Sequence, residues 1–278
     1  LTGGEPLLRP DFIDIFTYAK KKGLLVTLLT NGTLLTPAIA DFFMKYSPKT
    51  IDLSLYGATR ETYEKITGVP GSYEKCINGI EMLVQRRIPL KLKSVVLTVN
   101  KHEIGQIQEY AHKLGLPFRF DPNIMPRLDH GGEPIDYRLS PEETYELEQQ
   151  FRESREAVGD FYRKFAGPRR SDLSYICKGG DYSFFVDSYG RLSVCISSRT
   201  PNYDLRHGSF AEAFYDFIPQ VKARKARPNS KCQKCELIAV CGRCPATAEL
   251  ETGDPDAEVE WLCRLAHLKA SKYLIKTK

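Results

Sequence analysis

The sequence predicts an α/β protein, with a parallel β/α region over the first half and a small, cysteine-rich α+β region at the end. Three observations carry this. From Leu1 to about Asn123, short buried strands alternate with amphipathic stretches of helical length. Polar residues collect where those strands end, the place where parallel α/β architectures bind ligands. Seven of the eight cysteines lie after position 176.

Taken in order, "LTGGEP" opens on the end of a strand, which suggests that the chain begins inside a longer protein. A helical pattern from Phe12 to Lys22 stops at Gly23, and "LLVTLLTNG" (24 to 32) reads as a buried strand running into a turn. A helix from about Pro37 to Tyr46 precedes the strand "TIDLSLYG" (50 to 57). Another helix follows "GSYEKC" and runs to Arg87, then come the strand "LKLKSVVLTVN" (90 to 100), a helix from Lys101 to Leu114, and the strand "PFRFDPNI" (117 to 124). Counting the truncated first one, this makes five strands joined by helices, and so βαβ units. Periodicity alone leaves a doubly wound sheet and a β/α barrel equally open.

Regularity stops after Pro126. Residues 127 to 139 read as an irregular connection, and "SPEETYELEQQFRES" starts a helix with a Ser cap, Pro at the first helical position and acidic residues in the first turn. The domain boundary is expected between about 125 and 175, giving a first domain over 1–125, a helical linker over 126–176 and a final domain over 177–278. In the last, "YSFFVDSYGRLSVC" reads as a hairpin, "SFAEAFYDFIPQVKARK" as a helix, and "EVEWLCRLAHLKASKYLI" as an amphipathic terminal helix.

Composition narrows the function classes. A content of 42% apolar residues suffices for real cores, and the net charge of +5 comes with no basic stripe interleaved with aromatics, so no nucleic-acid partner is expected. The cationic run "KARKAR" (222 to 227) reads as a solvated helix end. No apolar run approaches the roughly 20 residues of a membrane-spanning helix, and no leader is evident. A cytoplasmic protein without membrane contact is expected.

The stretch "KCQKCELIAVCGRCP" (231 to 245) packs four cysteines into thirteen positions. Two CxxC knuckles can clasp one zinc, but their usual spacer is about 15 to 20 residues, and the five residues between Cys235 and Cys241 give little room. Iron-sulfur ligation accounts for the crowding better, because neighbouring thiolates then serve different irons, and a cysteine followed by proline can turn away toward a second cluster. Cys244 is followed by Pro245, and Cys177, Cys195 and Cys263 are available as outside partners. Zinc, a purely architectural cluster, or free thiols or disulfides are the alternatives. Cys76, on the apolar side of a predicted helix, reads as a buried thiol.

The order Cys177, a spacer, Gly190, four residues, Cys195, then CxxC, five residues, Cys241, a short gap, Cys244 and finally Cys263 spans 87 residues. It resembles the SPASM extension of radical S-adenosylmethionine (radical SAM) enzymes. One departure is that two residues, not the usual three, precede the last cysteine of the run. The resemblance implies a partial parallel β/α (TIM-like) barrel followed by a small iron-sulfur domain. It makes Cys232, Cys235, Cys241 and Cys263 the ligands of one auxiliary 4Fe-4S cluster, with Cys177, Cys195 and Cys244 holding a second that leaves one iron without a cysteine.

The same resemblance extends to "GGEP" at the first strand end, which is similar to the radical SAM motif that binds the methionine amino group and would involve Gly3, Gly4, Glu5 and Pro6. A second "GGEP" at 131 to 134 has no strand context and reads as coincidence. Ser54 resembles the polar residue on the family's fourth strand that contacts the methionine carboxylate or ribose. Asn31 and Thr98 at neighbouring strand ends complete the expected cofactor set, with Thr30, Asn100, Asp121 and Asn123 close by. Turn and cap roles explain Thr98 and Asn100 equally well, and His102 reads as a surface residue.

The family's CxxxCxxC motif occurs nowhere in these 278 residues. The chain is therefore expected to be a fragment that cannot cleave the cofactor by itself. For the intact protein, the resemblance implies S-adenosylmethionine, a third 4Fe-4S cluster, a low-potential electron donor such as flavodoxin or ferredoxin, and a radical reaction on a peptide or protein. Tetrapyrrole precursors are a further substrate class. A two-cluster electron carrier and a zinc-stabilised binding module are the non-enzymatic alternatives.

Overall fold

The computed structural model describes residues 1–168 and 171–274, and the chain divides into two compact units, Leu1–Asn123 and Ile124–Lys278. In the first, strands β1 (Thr27–Thr30), β2 (Thr50–Ser54), β3 (Leu90–Val95) and β4 (Phe118–Asp121) form one parallel sheet in the order β1-β2-β3-β4. A doubly wound sheet reverses direction at a switch point, whereas an arc of barrel adds each strand beside the last. The unbroken order is that of a partial β/α barrel. Leu1 supplies the expected fifth strand as a single rung, its N–H donating to Thr27 O (2.7 Å) and its carbonyl accepting from Leu29 N (2.9 Å).

Helices α1 (Phe12–Lys21), α2 (Pro37–Lys45), α3 (Arg60–Thr67), α4 (Ser72–Gln85) and α5 (Ile104–Lys113) connect the strands. The core lies between their apolar stripes and one face of the sheet, where Leu28, Ile51, Leu53 and Leu92 meet Phe16, Phe43, Ile80 and Ile107, all fully buried. Helix α3 was not expected from the sequence. Its "RETYEKIT" carries only Thr62 and Tyr63 inward, too little apolar content to show a period, and it is set by the Thr59 hydroxyl at its N-terminus and Gly68 in the left-handed region (φ 66°) at its end. The third strand is also shorter than expected. It ends at Val95, and Thr98–Asn100 form a turn.

In the second unit, α6 (Pro141–Gln150) starts from the anticipated Ser140 capping box, and α7 (Arg152–Phe165) follows after a break at Phe151. The stretch expected to be a linker does not stand apart. Both helices pack on the terminal helix α11 (Glu260–Tyr273). Trp261 donates to Leu139 O (2.7 Å), Lys269 pairs with Glu148 (2.8 Å), and Arg138 forks onto Glu251 (2.7 and 3.1 Å) beneath the Trp261 ring. Ile275, the last residue of the expected terminal helix, lies outside the described residues.

The expected hairpin is present as β5 (Phe185–Val186) and β6 (Arg191–Ser193), and β7 (Tyr203–Asp204) extends it to three antiparallel strands. Helix α8 (Phe210–Glu212) widens to a π-turn over Ala213–Phe217 before α9 (Ile218–Lys222), because Pro219 has no N–H to continue the ladder. Helix α10 (Pro245–Thr252) completes the unit.

Helix α4 crosses the β1–α2 turn so closely that a Cβ on Gly79 would stand 2.6 Å from Gly32 O. Backbone cannot yield there. Gly79→Ala should therefore destabilise the protein by about 1–3 kcal/mol, measured by urea denaturation, while an unchanged midpoint would contradict this packing.

Candidate functional site

The GGEP loop sits against the end of β1. Gly3, at φ 149°, and Gly4 are exposed, and a Cβ on either would meet nothing within 4 Å, so a ligand can approach the bare backbone. Glu5 is already engaged: its carboxylate accepts from Thr30 Oγ1 (2.8 Å), Asn31 N (2.7 Å) and Leu7 N (3.1 Å). It thereby clamps the loop to the strand end, with Pro6 buried behind it. Asn31 spends its side-chain oxygen on Thr33 N and Oγ1 (2.9 and 2.7 Å). With Thr33, Tyr56 and the fully buried Tyr63, it lines a cavity of about 450 Å³ among residues that follow β1 and β2. The second GGEP has no such anchoring, since Glu133 begins an exposed 3-10 turn.

Ser54 is the last residue of β2 and is buried. Behind it, Cys76 is fully buried on α4 and points its thiol at Ser54 O (3.8 Å), and burial pushes that thiol up to about 11. Thr98 is exposed in the turn beyond β3. Asn100 is fully consumed, accepting from Leu97 N (2.7 Å) and donating to Tyr56 O and Val95 O (2.7 and 3.0 Å), which is a turn-building role. His102 is largely exposed beside Glu103. Asp121 is tied locally to Asn123.

Sequence reasoning missed two residues here. Glu103 is buried and accepts from Ala58 N (2.6 Å), Thr59 N (3.2 Å), Thr59 Oγ1 (2.8 Å) and Thr62 Oγ1 (2.6 Å), bracketing the β2–α3 loop. Lys93 pairs in register with Ser54 on the face of the sheet away from the helices. It is half-buried, and no carboxylate among the described residues binds it directly. Burial pulls its ammonium below the ordinary lysine value, as does Arg119, while Asp52 opposes them. The only advance signal for Lys93 was the alternation in "LKLK", which a fully buried parallel strand would not show.

In the second unit, Cys232, Cys235, Cys241 and Cys263 line one pocket with Leu237, Ile238 and Val259. Burial pushes the Cys241 thiol up to about 11, and burial also raises Cys263; Cys232 and Cys235 add to both shifts. Backbone N–H groups point at the sulfurs, from Leu237 to Cys235 and from Arg243 to Cys241 (both 3.4 Å).

Cys244 is positioned differently. It caps α10, accepting from Thr247 N (3.4 Å) with Thr247 Oγ1 3.1 Å away, and Pro245 takes the first helical position. It lies with Cys195 near the buried Tyr175, whose phenol is raised by burial and by both sulfurs despite a hydrogen bond with Ser198 (2.8 Å). Cys177 is exposed, with its sulfur close to Gly179.

Among the described residues no disulfide joins any of the cysteines. Among the described residues no three thiol, imidazole or carboxylate groups form a group suited to a single metal ion. The four-thiol pocket fits an iron-sulfur cube in its donor set, in its apolar lining and in its N–H···S bonds, which are levers by which proteins hold and tune such clusters.

A barrel arc with a glycine-rich loop at its strand ends, joined to a unit carrying seven further cysteines, defines a class. The Radical SAM superfamily matches residues 1–111, and the chain belongs to that superfamily. The AdoMet-dependent heme synthase of Methanosarcina barkeri is 30% identical over 274 residues, covering 91% of this chain and 78% of the relative. The PqqA peptide cyclase of Ruegeria pomeroyi is 34% identical over 115 residues, covering 41% of this chain and 31% of that protein. In fold, the chain is similar to SuiB of Streptococcus suis bound to S-adenosylmethionine (TM-score 0.71, 15% identity), with 94% of this chain covered and 64% of that one.

The pH dependence of the Glu103 bracket follows from its partners. Burial raises its carboxyl, but the bonds from Thr62, Thr59 and Ala58 outweigh it and hold the group below the ordinary glutamate range. Its stabilisation is fully present above the unfolded value, about pH 4.3, and is lost as pH falls through the lower folded value. Glu103→Gln should flatten this acid limb in denaturation series; an acid limb like that of the wild type would contradict the assignment.

Proposed function

We propose that the intact protein is an S-adenosylmethionine-dependent radical enzyme acting on an iron-tetrapyrrole precursor of haem. The observation that carries this reading is the extent of the resemblance: a relative named AdoMet-dependent heme synthase aligns through both units, over 91% of the chain. Peptide maturation, which the cysteine pattern also suggests, is the second reading. SuiB has been solved with the precursor peptide SuiA, and a peptide cyclase aligns with 41% of this chain. The SuiB likeness is one of fold, however. A probable GTP 3′,8-cyclase of Saccharolobus islandicus aligns over a similar length, 36% identical over 118 residues, so likeness of that extent does not select a substrate.

In this reading the chain's own groups divide the work. Bare backbone at Gly3 and Gly4 receives the methionine amino group, with Glu5 holding the loop. Lys93 supplies the cation for the methionine carboxylate beside Ser54, since a half-buried ammonium without a bound partner favours an anionic ligand. When bound, a reduced 4Fe-4S cluster with S-adenosylmethionine supplies a deoxyadenosyl radical for hydrogen abstraction. The thiolates for that cluster are taken to lie in a CxxxCxxC loop outside these residues, and a low-potential donor such as flavodoxin or ferredoxin to reduce it. Cys232, Cys235, Cys241 and Cys263 would hold one auxiliary cluster, and Cys177, Cys195 and Cys244 another, whose role would be to take up the electron left on the product.

The test is anaerobic turnover of the reconstituted intact protein with S-adenosylmethionine, a low-potential reductant and an iron-tetrapyrrole precursor. Haem should form in proportion to 5′-deoxyadenosine. Cofactor cleavage coupled to a peptide and not to the porphyrin would overturn the reading in favour of the second. In the same protein, Lys93→Ala should weaken S-adenosylmethionine binding about tenfold or more, the scale of a lost charged hydrogen bond; unchanged affinity would remove Lys93 from the site.

A further inference from the structure

Parallel strands closed into a barrel are usually apolar on both faces, and the helix-facing side of this sheet obeys that rule. The other side does not. The register places Asp52 beside Lys91, Ser54 beside Lys93, and Lys93 beside Arg119. Asp52, Ser54, Lys91, Lys93 and Arg119 thus make this face polar, with four of these five charged, and Asp121 lies one same-face step beyond Arg119. The Arg119 guanidinium stands 3.8 Å from Asp52 Oδ2 with its side chain 70% exposed, while Asp52 is 16% exposed. The other Asp52 oxygen is buried with no hydrogen-bond partner among the described residues. An orphaned buried acceptor is costly, so this face is built for something beyond its own stability.

We propose that Arg119 and Lys91 anchor carboxylate groups of the substrate on this inner face, with Asp52 holding the Arg119 guanidinium in place. The inference rests on the haem-precursor reading and deepens it. Lys93 stands at the level of Ser54, at the strand end, and is assigned above to the cofactor. Lys91 lies one same-face step deeper along β3, level with Asp52, and Arg119 extends the basic surface onto β4. This leaves two cations outside the cofactor site, spaced across adjacent strands, on a face that solvent reaches. Porphyrins of the haem type carry acidic side chains at the ring edge. A planar guanidinium suits a carboxylate bidentately, and Lys91 offers a second point charge.

The test uses the reconstituted intact protein and two probes, deuteroporphyrin IX and its dimethyl ester, titrated by porphyrin absorbance. The wild type should bind the free acid about tenfold tighter than the ester, the scale of one charged contact. Arg119→Ala and Lys91→Ala should each erode that preference, Arg119→Lys should keep part of it, and the affinity for S-adenosylmethionine and the iron content should stay unchanged. A wild type that prefers the acid together with variants that prefer it equally overturns this inference and leaves the haem-precursor reading standing. A wild type that binds S-adenosylmethionine but neither porphyrin overturns both.

Discussion

In the pocket shared by Cys232, Cys235, Cys241 and Cys263, burial and the neighbouring sulfurs both oppose ionisation of the Cys241 and Cys263 thiols. Without a counter-charge, those two thiols resist becoming thiolates. With an iron-sulfur core at its centre, the same pocket becomes favourable, since the metal takes the thiolate charge and the amides of Leu237 and Arg243 already point at two of the sulfurs. The surrounding chain is organised to keep these sulfurs in place. Arg243 is buried and fastens its guanidinium to Ala257 O and Pro255 O, and Asp256 ties Arg224 and Arg227 to the same turn.

The separation of Cys244 from this pocket depends on a local backbone event. Proline directly after it starts α10, and the cysteine becomes the cap of that helix, spending its sulfur on Thr247. A residue two positions after Gly242 is thus turned toward Cys195 and Tyr175. In the barrel arc, carboxylates do comparable organising work. Glu5 and Glu103 each bracket a loop at a strand end through several short hydrogen bonds. Glu5, singled out in the sequence as a cofactor contact, is first of all a clamp.

The strands and most helices were legible because their apolar periods are strong, and the seven cysteines because their spacing is unusual. Choosing a barrel over a doubly wound sheet required strand order, which no local pattern encodes. Helix α3 escaped notice because its buried face is a threonine and a tyrosine. Glu103 follows a turn and looks like any charged residue at a helix start; its three partner residues lie 41 to 45 positions away. Lys93 was written plainly in "LKLK", but only register shows that it stands beside Ser54. Helices α6 and α7 read as a connector because their contacts with α11 are more than a hundred residues distant in sequence.

The most direct measurement compares iron, acid-labile sulfide and Mössbauer spectra of the reconstituted protein after two paired substitutions, Cys241→Ala with Cys263→Ala and Cys195→Ala with Cys244→Ala. Two independent cages require each pair to abolish one cubane signal and spare the other. Loss of the same iron in both variants, or zinc in place of iron and sulfide in the parent, would contradict the division of the sulfurs on which everything else rests.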